Sequence, residues 1–254
     1  MSIQKTRGII LRRDELRETS LILTVYTRDF GKLKLVSKGA RTPDQRFISA
    51  YELFALCDMV FYERKKKGFF LLSQCELVNF FSKIREDFDR LTYAAYLIEL
   101  LGSSTGFGDK NQRLFELLLN SLELLSGNAS PKRVARIFEI KMLSELGHMP
   151  RISLCVGCNA DLDNTGCYRF SVSSGGVLCE KCFSKDRNAK QILQGTIRFM
   201  SRVEELPFEK AKQIKVAKSV GNEVEAILTN FIRYHLDIRL RSLSFIAKTG
   251  LKKG

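Results

Sequence analysis

Histidine is scarce in this chain, with two residues, His148 and His235, among 254. Neither stands in H-E-x-x-H, nor in the H-x-E that accompanies P-C-x-x-C in zinc deaminases, so those metal-hydrolase and deaminase chemistries have no carrier. His235 falls on a mostly apolar helical stretch and reads as a partly buried packing residue. Long apolar runs are also missing: no stretch reaches the roughly eighteen residues that a membrane span requires. The opening Met1-Ser2-Ile3-Gln4-Lys5 is polar where a secretory signal has an apolar core, and a cytoplasmic location is expected. No nucleophile–base arrangement, paired carboxylates or cofactor loop stands out. Gly106 and Gly108 resemble the start of a phosphate loop, but no G-K-[ST] follows, the third glycine of G-x-G-x-x-G is absent and no strand precedes them. That segment reads as a connection. Asp161 and Asp163 read as turn formers, and no catalysis is expected.

Cysteine, by contrast, is well represented. Cys155-Val156-Gly157-Cys158 and Cys179-Glu180-Lys181-Cys182 form two C-x-x-C pairs separated by twenty residues, the pattern of a four-thiolate zinc site. Four thiolates fill the tetrahedral shell of zinc and leave no position for a catalytic water, so the implied role is structural. Disulfide pairing is the competing reading, and a reducing compartment argues against it. Cys57 and Cys75 lie in apolar strand-like runs and are expected to be buried. Cys167 is read as a packing residue, not a fifth ligand.

The formal charge is +14, from 42 Lys and Arg against 28 Asp and Glu. It gathers at the ends: residues 1–80 hold 15 basic against 9 acidic side chains and residues 186–254 hold 14 against 7, while residues 81–185 are nearly balanced. A polyanion such as nucleic acid is the simplest partner, with plain solubility as the alternative.

Residues 6–12, 21–27, 32–38, 51–62 and 69–78 read as strands, which predicts a small barrel or sandwich. In Lys32–Lys38 the period-two alternation puts Leu33 and Leu35 on one face and Lys32, Lys34 and Lys38 on the other. Arg41 and Arg46 continue the basic strip into the next loop, a pattern suited to phosphate oxygens or, alternatively, to a solvated edge strand. Arg64-Lys65-Lys66-Lys67 reads as a hairpin tip.

From about residue 80 the periodicity becomes helical. Residues 90–101, 111–126 and 130–147 form helices, with Asn111 and Ser130 as caps and Gly127 and Gly147 as stops. Helical spacing resumes from about Ala189, breaks at Pro207 and continues past Val216 to Leu236; the tail from Lys248 is expected to fray. Helices on both sides of the cysteines imply an insertion. The expected organisation is α+β, with a barrel at 1–80, a helical domain at 81–150 and 186–254, and the zinc module at 151–185. The module carries four basic residues against three acidic, so it reads as a clasp more than a groove-reading finger.

Several strings also carry a family likeness. Arg7-Gly8-Ile9-Ile10-Leu11, Glu18-Thr19-Ser20, Tyr26-Thr27 with Gly31-Lys32, and Val36-Ser37-Lys38-Gly39-Ala40-Arg41 resemble the N-terminal pattern of the bacterial RecO recombination mediators. Leu146-Gly147-His148-Met149-Pro150 before Cys155 and Cys158, then Phe170 and Gly175-Gly176-Val177-Leu178-Cys179, extend the resemblance over nearly the full length. Asn159 and His148 stand where that family often has glycine and an aromatic. The resemblance implies an N-terminal OB-fold, an all-α domain with the zinc module inserted, and no catalysis. It further implies binding to single- and double-stranded DNA, annealing of complementary strands, and help in loading recombinase onto DNA coated by single-strand DNA-binding protein (SSB), with RecR as partner. On this chain Lys32, Lys34, Lys38, Arg41 and Arg46, with Arg12 and Arg13, become the expected backbone contacts. Arg233, Arg239 and Arg241 are candidates for the acidic SSB tail. An RNA- or ribosome-associated OB-fold and zinc protein is the alternative function.

Overall fold

The computed structural model describes residues 2–16, 18–40, 49–62, 68–163 and 166–248. Strands β1 (Ile3–Leu16), β2 (Ser20–Thr27), β3 (Gly31–Ser37), β4 (Leu56–Tyr62) and β5 (Phe70–Asn79) form a closed barrel in the order β1-β2-β3-β5-β4. All neighbours are antiparallel except β3 and β5, which pair in parallel at Leu35↔Phe70 and Val36↔Leu71. That order is the OB-like barrel. The alternation seen in the sequence sets the register: Leu23 faces Leu35 and Val25 faces Leu33, and these four side chains are buried in the barrel core. Ile10, Met59, Phe61, Leu72 and Cys75 also belong to that core. A bulge between Ile10 and Arg12 bends β1 so that one long strand pairs with both β2 and β4. Close approach there requires glycine at position 8, where a Cβ would stand 2.5 Å from Val25 Cγ1.

The strand expected over 51–62 begins only at Leu56. Ahead of it, Ser49–Tyr51 is a short 3-10 helix that sends Ala50 and Tyr51 into the barrel core. The Ser37 hydroxyl lies 3.1 Å from the Tyr51 hydroxyl, and the Cys57 thiol donates to the Ala50 carbonyl. Plugging the interior with these side chains displaced the strand pattern. Cys57 and Cys75 are buried, as the apolar runs around them implied.

The barrel is followed by α1 (Ser82–Arg85), α2 (Phe88–Ser104) and α3 (Gln112–Ser126). Asp87 caps α2 by accepting the Arg90 N–H at 2.9 Å, and Asn111 caps α3 by accepting the Leu114 N–H at 3.1 Å. In the turn into α1, buried Phe81 adopts φ 53°, held by its N–H on Asn79 Oδ1. The Arg85 guanidinium donates to the carbonyls of Phe80 and Leu53.

Two compact units emerge, one comprising residues 1–131 with 240–254 and the other residues 132–239. Their division does not coincide with the change of periodicity near residue 80, because α1 to α3 group with the barrel. The C-terminal helix, which the sequence reading did not anticipate, joins them: it spans Arg241–Lys248, and the Glu99 carboxylate of α2 accepts the N–H groups of Arg241 and Ser242 at 2.9 Å each. A carboxylate at a helix N-terminus satisfies donors that the helix itself cannot.

The second unit contains α4 (Pro131–Glu145), the three-stranded sheet β7-β6-β8, α5 (Gln194–Glu205), α6 (Phe208–Ala211) and α7 (Lys218–His235). Its strands are β6 (Tyr168–Ser171), β7 (Gly176–Cys179) and β8 (Lys190–Ile192). Helical spacing had been expected from Ala189, but Lys190–Ile192 instead pairs with β6, Ile192 opposite Tyr168, and the helix starts after it. On α4 the side chains of Arg136 and Glu139 form a buried ion pair at 2.6 Å. Among the described residues the C-terminal helix, α8, is the last of the α-helices. Among the described residues no helix is long and apolar enough to cross a membrane.

Candidate functional site

The sulfurs of Cys155, Cys158, Cys179 and Cys182 all lie within 4.8 Å of one another. Cys158 Sγ and Cys179 Sγ are 3.6 Å apart, well beyond the roughly 2.05 Å of a disulfide and close to the roughly 3.8 Å edge of a tetrahedron with 2.3 Å metal–sulfur bonds. The backbone is shaped for this. The Gly157 and Cys179 N–H groups each point at Cys155 Sγ from 3.3 Å. Burial opposes ionisation of Cys155, yet the N–H groups of Cys179, Gly157 and Cys158 outweigh it and bring the thiol down to about 6. Burial, followed by hydrogen bonding to Cys158, Cys155 and Cys179, pushes Cys182 up to about 12. Sulfurs this close ionise together only around a cation. The set therefore fits a metal ion held by four thiolates, and Cys167 is exposed and outside it. Its exposure corrects the expectation that Cys167 would pack.

Glycine is required inside the first pair, since a Cβ on Gly157 would stand 2.8 Å from both Cβ and Sγ of Cys182. Asn159 directly after that pair adopts φ 61°, a left-handed conformation that asparagine tolerates better than most residues, and its N–H donates to the Cys155 carbonyl at 2.9 Å. Turn geometry thus explains how asparagine serves where glycine is the usual choice. His235 is half-buried, stacked on Phe231 with ring centroids 4.2 Å apart and with Nε2 2.6 Å from the Val172 carbonyl, a packing role.

The basic strip on β3 divides. Lys32, expected to face solvent, is only 7% exposed, and its ammonium donates to the carbonyls of Gly102 and Thr105 at the C-terminus of α2. The cause is the glycine-rich segment after α2. It folds back along β3, where Lys32 and Phe107 form a parallel bridge and the Gly108 N–H donates to the Lys32 carbonyl at 3.0 Å. A Cβ on Gly31, which has φ 66°, would lie 2.1 Å from the Asp109 carbonyl oxygen. Burial lowers the Lys32 pKa, partly offset by Asp109 and reinforced by Lys34. Lys32 is thus a helix-capping cation whose ammonium is turned from solvent.

Lys34 is half-buried, with its ammonium between two rings, 5.0 Å from the Phe107 centroid and 5.5 Å from that of Phe69. Lys38, in the turn directly after β3, is exposed. Arg41 and Arg46 lie outside the described residues, as do Arg64, Lys65, Lys66 and Lys67. Arg12 and Arg13 are exposed but each has a carboxylate partner: Asp14 at 2.7 Å and Glu52 at 2.6 Å. Arg233 and Arg239 are exposed in the second unit, with Arg233 3.4 Å from Asn230 Oδ1, while Arg241 is exposed at the start of α8 in the first. Phe69 and Phe107, 40% and 53% exposed, were missed as site residues. Their signal was present in Gly68-Phe69 and Gly106-Phe107-Gly108, aromatics beside glycine.

Two family models cover the chain: "Recombination protein O N terminal" matches residues 1–81 and "Recombination protein O C terminal" matches residues 85–244. The chain is 33% identical over 258 residues to the DNA repair protein RecO of Desulforamulus reducens, covering 100% of this chain and 99% of that protein. It is 32% identical over 244 residues to the DNA repair protein RecO of Syntrophus aciditrophicus, with 95% and 94% covered, and 33% identical over 245 residues to that of Caldicellulosiruptor bescii, with 96% and 98% covered. An OB-like barrel, a four-cysteine cluster and likeness across both halves agree: the chain belongs to the recombination protein O family.

Proposed function

We propose that this protein is a DNA-binding mediator of recombinational repair that anneals complementary single strands and assists recombinase loading on SSB-coated DNA, without turnover chemistry of its own. The observation that carries the reading is the cationic pair on and just past β3, half-buried Lys34 and exposed Lys38, on an OB-like barrel in a chain whose relatives are named DNA repair proteins. Arg41 and Arg46 extend that pair in sequence, and Arg12 and Arg13 supply weaker contacts because carboxylates partly neutralise them. RecR is the proposed protein partner, and Arg233, Arg239 and Arg241 are proposed to receive the acidic SSB tail. Zinc is the proposed metal, in a structural role: four thiolates leave no position for substrate. The proposed functional organisation is a barrel, a helical domain and an inserted zinc module, in a cytoplasmic, nucleoid-associated protein.

Two complementary strands repel each other. A protein that neutralises both and holds them near each other raises their effective concentration, so annealing needs no nucleotide hydrolysis. The test is annealing of complementary oligonucleotides with and without SSB, alongside a salt titration of binding. Log affinity falls against log salt by about 0.9 per duplex phosphate contact and about 0.7 per single-strand contact. Replacing Lys34 and Lys38 by alanine lowers that slope by about two contacts' worth and weakens all sequences alike. A flat salt response, or unchanged annealing in the double variant, refutes the assignment. The RNA- or ribosome-associated alternative predicts tighter binding to RNA than to matching single-stranded DNA.

A further inference from the structure

We infer that Phe69 and Phe107, with Lys34 between them, form a stacking platform for unpaired nucleobases, the part of the barrel that distinguishes single strands from duplex. This rests on the proposed DNA-binding role and assigns it a base-contacting site separate from the phosphate-contacting lysines. Isolated exposed apolar residues are ordinary on protein surfaces. Here two exposed rings converge on one ammonium, at 5.5 and 5.0 Å, and they come from segments far apart in the chain.

Phe107 is also held in place. Its backbone bridges to Lys32, the Gly108 N–H bonds the Lys32 carbonyl, and the Lys32 ammonium lies 4.5 Å from the ring centroid while gripping the end of α2. The loop is thus fixed from below, yet 53% of Phe107 remains exposed. Packing over the Lys32 ammonium occupies part of the ring, and the exposed remainder is open to a ligand. A rigid ring face loses little freedom when a base stacks on it, and any base will do, because every base has a π-face.

The charge surrounding the rings selects the occupant. Lys34 lies between the rings, and exposed Lys38 stands in the turn directly after β3. An apolar partner would have to desolvate these cations. A nucleic-acid strand brings phosphates to them while its bases meet the rings. Paired bases are stacked within the helix and cannot reach the rings, so the site favours single strands.

The experiment compares three probes on the full chain: a base-bearing single-stranded DNA, an abasic strand of equal length, and duplex. Phe69→Ala and Phe107→Ala each weaken the base-bearing strand about tenfold and leave the abasic strand and duplex unchanged. Phe107→Trp retains affinity and supplies the only tryptophan in a chain that has none. Its emission falls on binding the base-bearing strand and holds on the abasic one. Equal losses on both strands, no loss at all, or unquenched emission with retained binding overturns the platform. If Lys34→Ala with Lys38→Ala weakens every probe while the Phe variants change none, the platform fails and the phosphate face stands; if no variant changes any binding, both fail. A matching oligoribonucleotide bound far more tightly than DNA would reassign the platform to RNA and overturn its DNA form. Circular dichroism melting confirms that the alanine variants fold.

Discussion

Two lysines a single residue apart on β3 should respond oppositely to the same substitution. Lys32 donates its ammonium to the Gly102 and Thr105 carbonyls and is buried; Lys34 is half-buried and donates none of the resolved hydrogen bonds. Lys32→Met preserves much of the apolar stem and removes both donors. Hydrogen bonds to a charged group contribute about 1.5–3 kcal/mol each, and the desolvation that lowers the Lys32 pKa cancels part of the gain, so the expected loss is about 2–3 kcal/mol. Lys34→Met leaves no buried group without a partner and should change stability by under about 0.5 kcal/mol. Affinity for duplex DNA, which does not use the rings that Lys32 holds, runs the other way, with Lys34→Met weakening it and Lys32→Met sparing it under conditions where the variant remains folded. Urea denaturation followed by circular dichroism reads the first effect and fluorescence anisotropy the second. Because the folded-state pKa of Lys32 lies below 10.5, the unfolded chain binds more protons in the alkaline window beneath that value, so stability there rises with pH. Lys32→Met should flatten that rise. A Lys32→Met variant as stable as the parent and as weak on DNA as Lys34→Met would show that the side chain leaves the helix end and meets phosphate, and would refute the assignment.

Glu139→Gln removes the carboxylate charge that faces the buried Arg136 guanidinium in the second unit and should cost about 3–5 kcal/mol, measured as a fall in Tm. An exposed control, Asp14→Asn beside Arg12, should shift Tm by a degree or two at most, since surface pairs contribute about 0–1 kcal/mol. Gly157→Ala drives a methyl into Cys182 and should lower bound metal per chain, as read by elemental analysis, while Cys167→Ser leaves it unchanged. Chelation of the metal should expose the second unit to protease while the barrel retains DNA binding; loss of binding in step with metal would give the cysteines a direct role.

Local pattern carried most of the fold. Alternation in Leu33 and Leu35 put the inward face of β3 where it is, Asn111 and Asp87 mark true helix starts although only the former was anticipated, and the two C-x-x-C pairs converge as their spacing implied. What escaped depends on contacts between distant segments. The burial of Lys32 follows from a loop some seventy residues later, and no periodicity within β3 announces it. Residues 190–192 carry helical spacing but become an edge strand because β6 offers them a free side. Helix α8 is short, and its first turn is secured by Glu99, far back in the chain. Cys167 looked like core by residue type alone, yet lies at the surface.

The barrel is joined least securely where β3 meets β5. That seam has two paired positions, Leu35 with Phe70 and Val36 with Leu71, whereas β2 and β3 share seven. A cylinder tends to open along its shortest join, so amides at this seam should exchange with solvent ahead of those on the other strands. Lys34 and Phe69 are the residues just before the two strands touch, one on each lip. A strand of nucleic acid lying across them would clip the lips together, so cargo would tighten the vessel that carries it, and slower exchange at the seam would record its arrival.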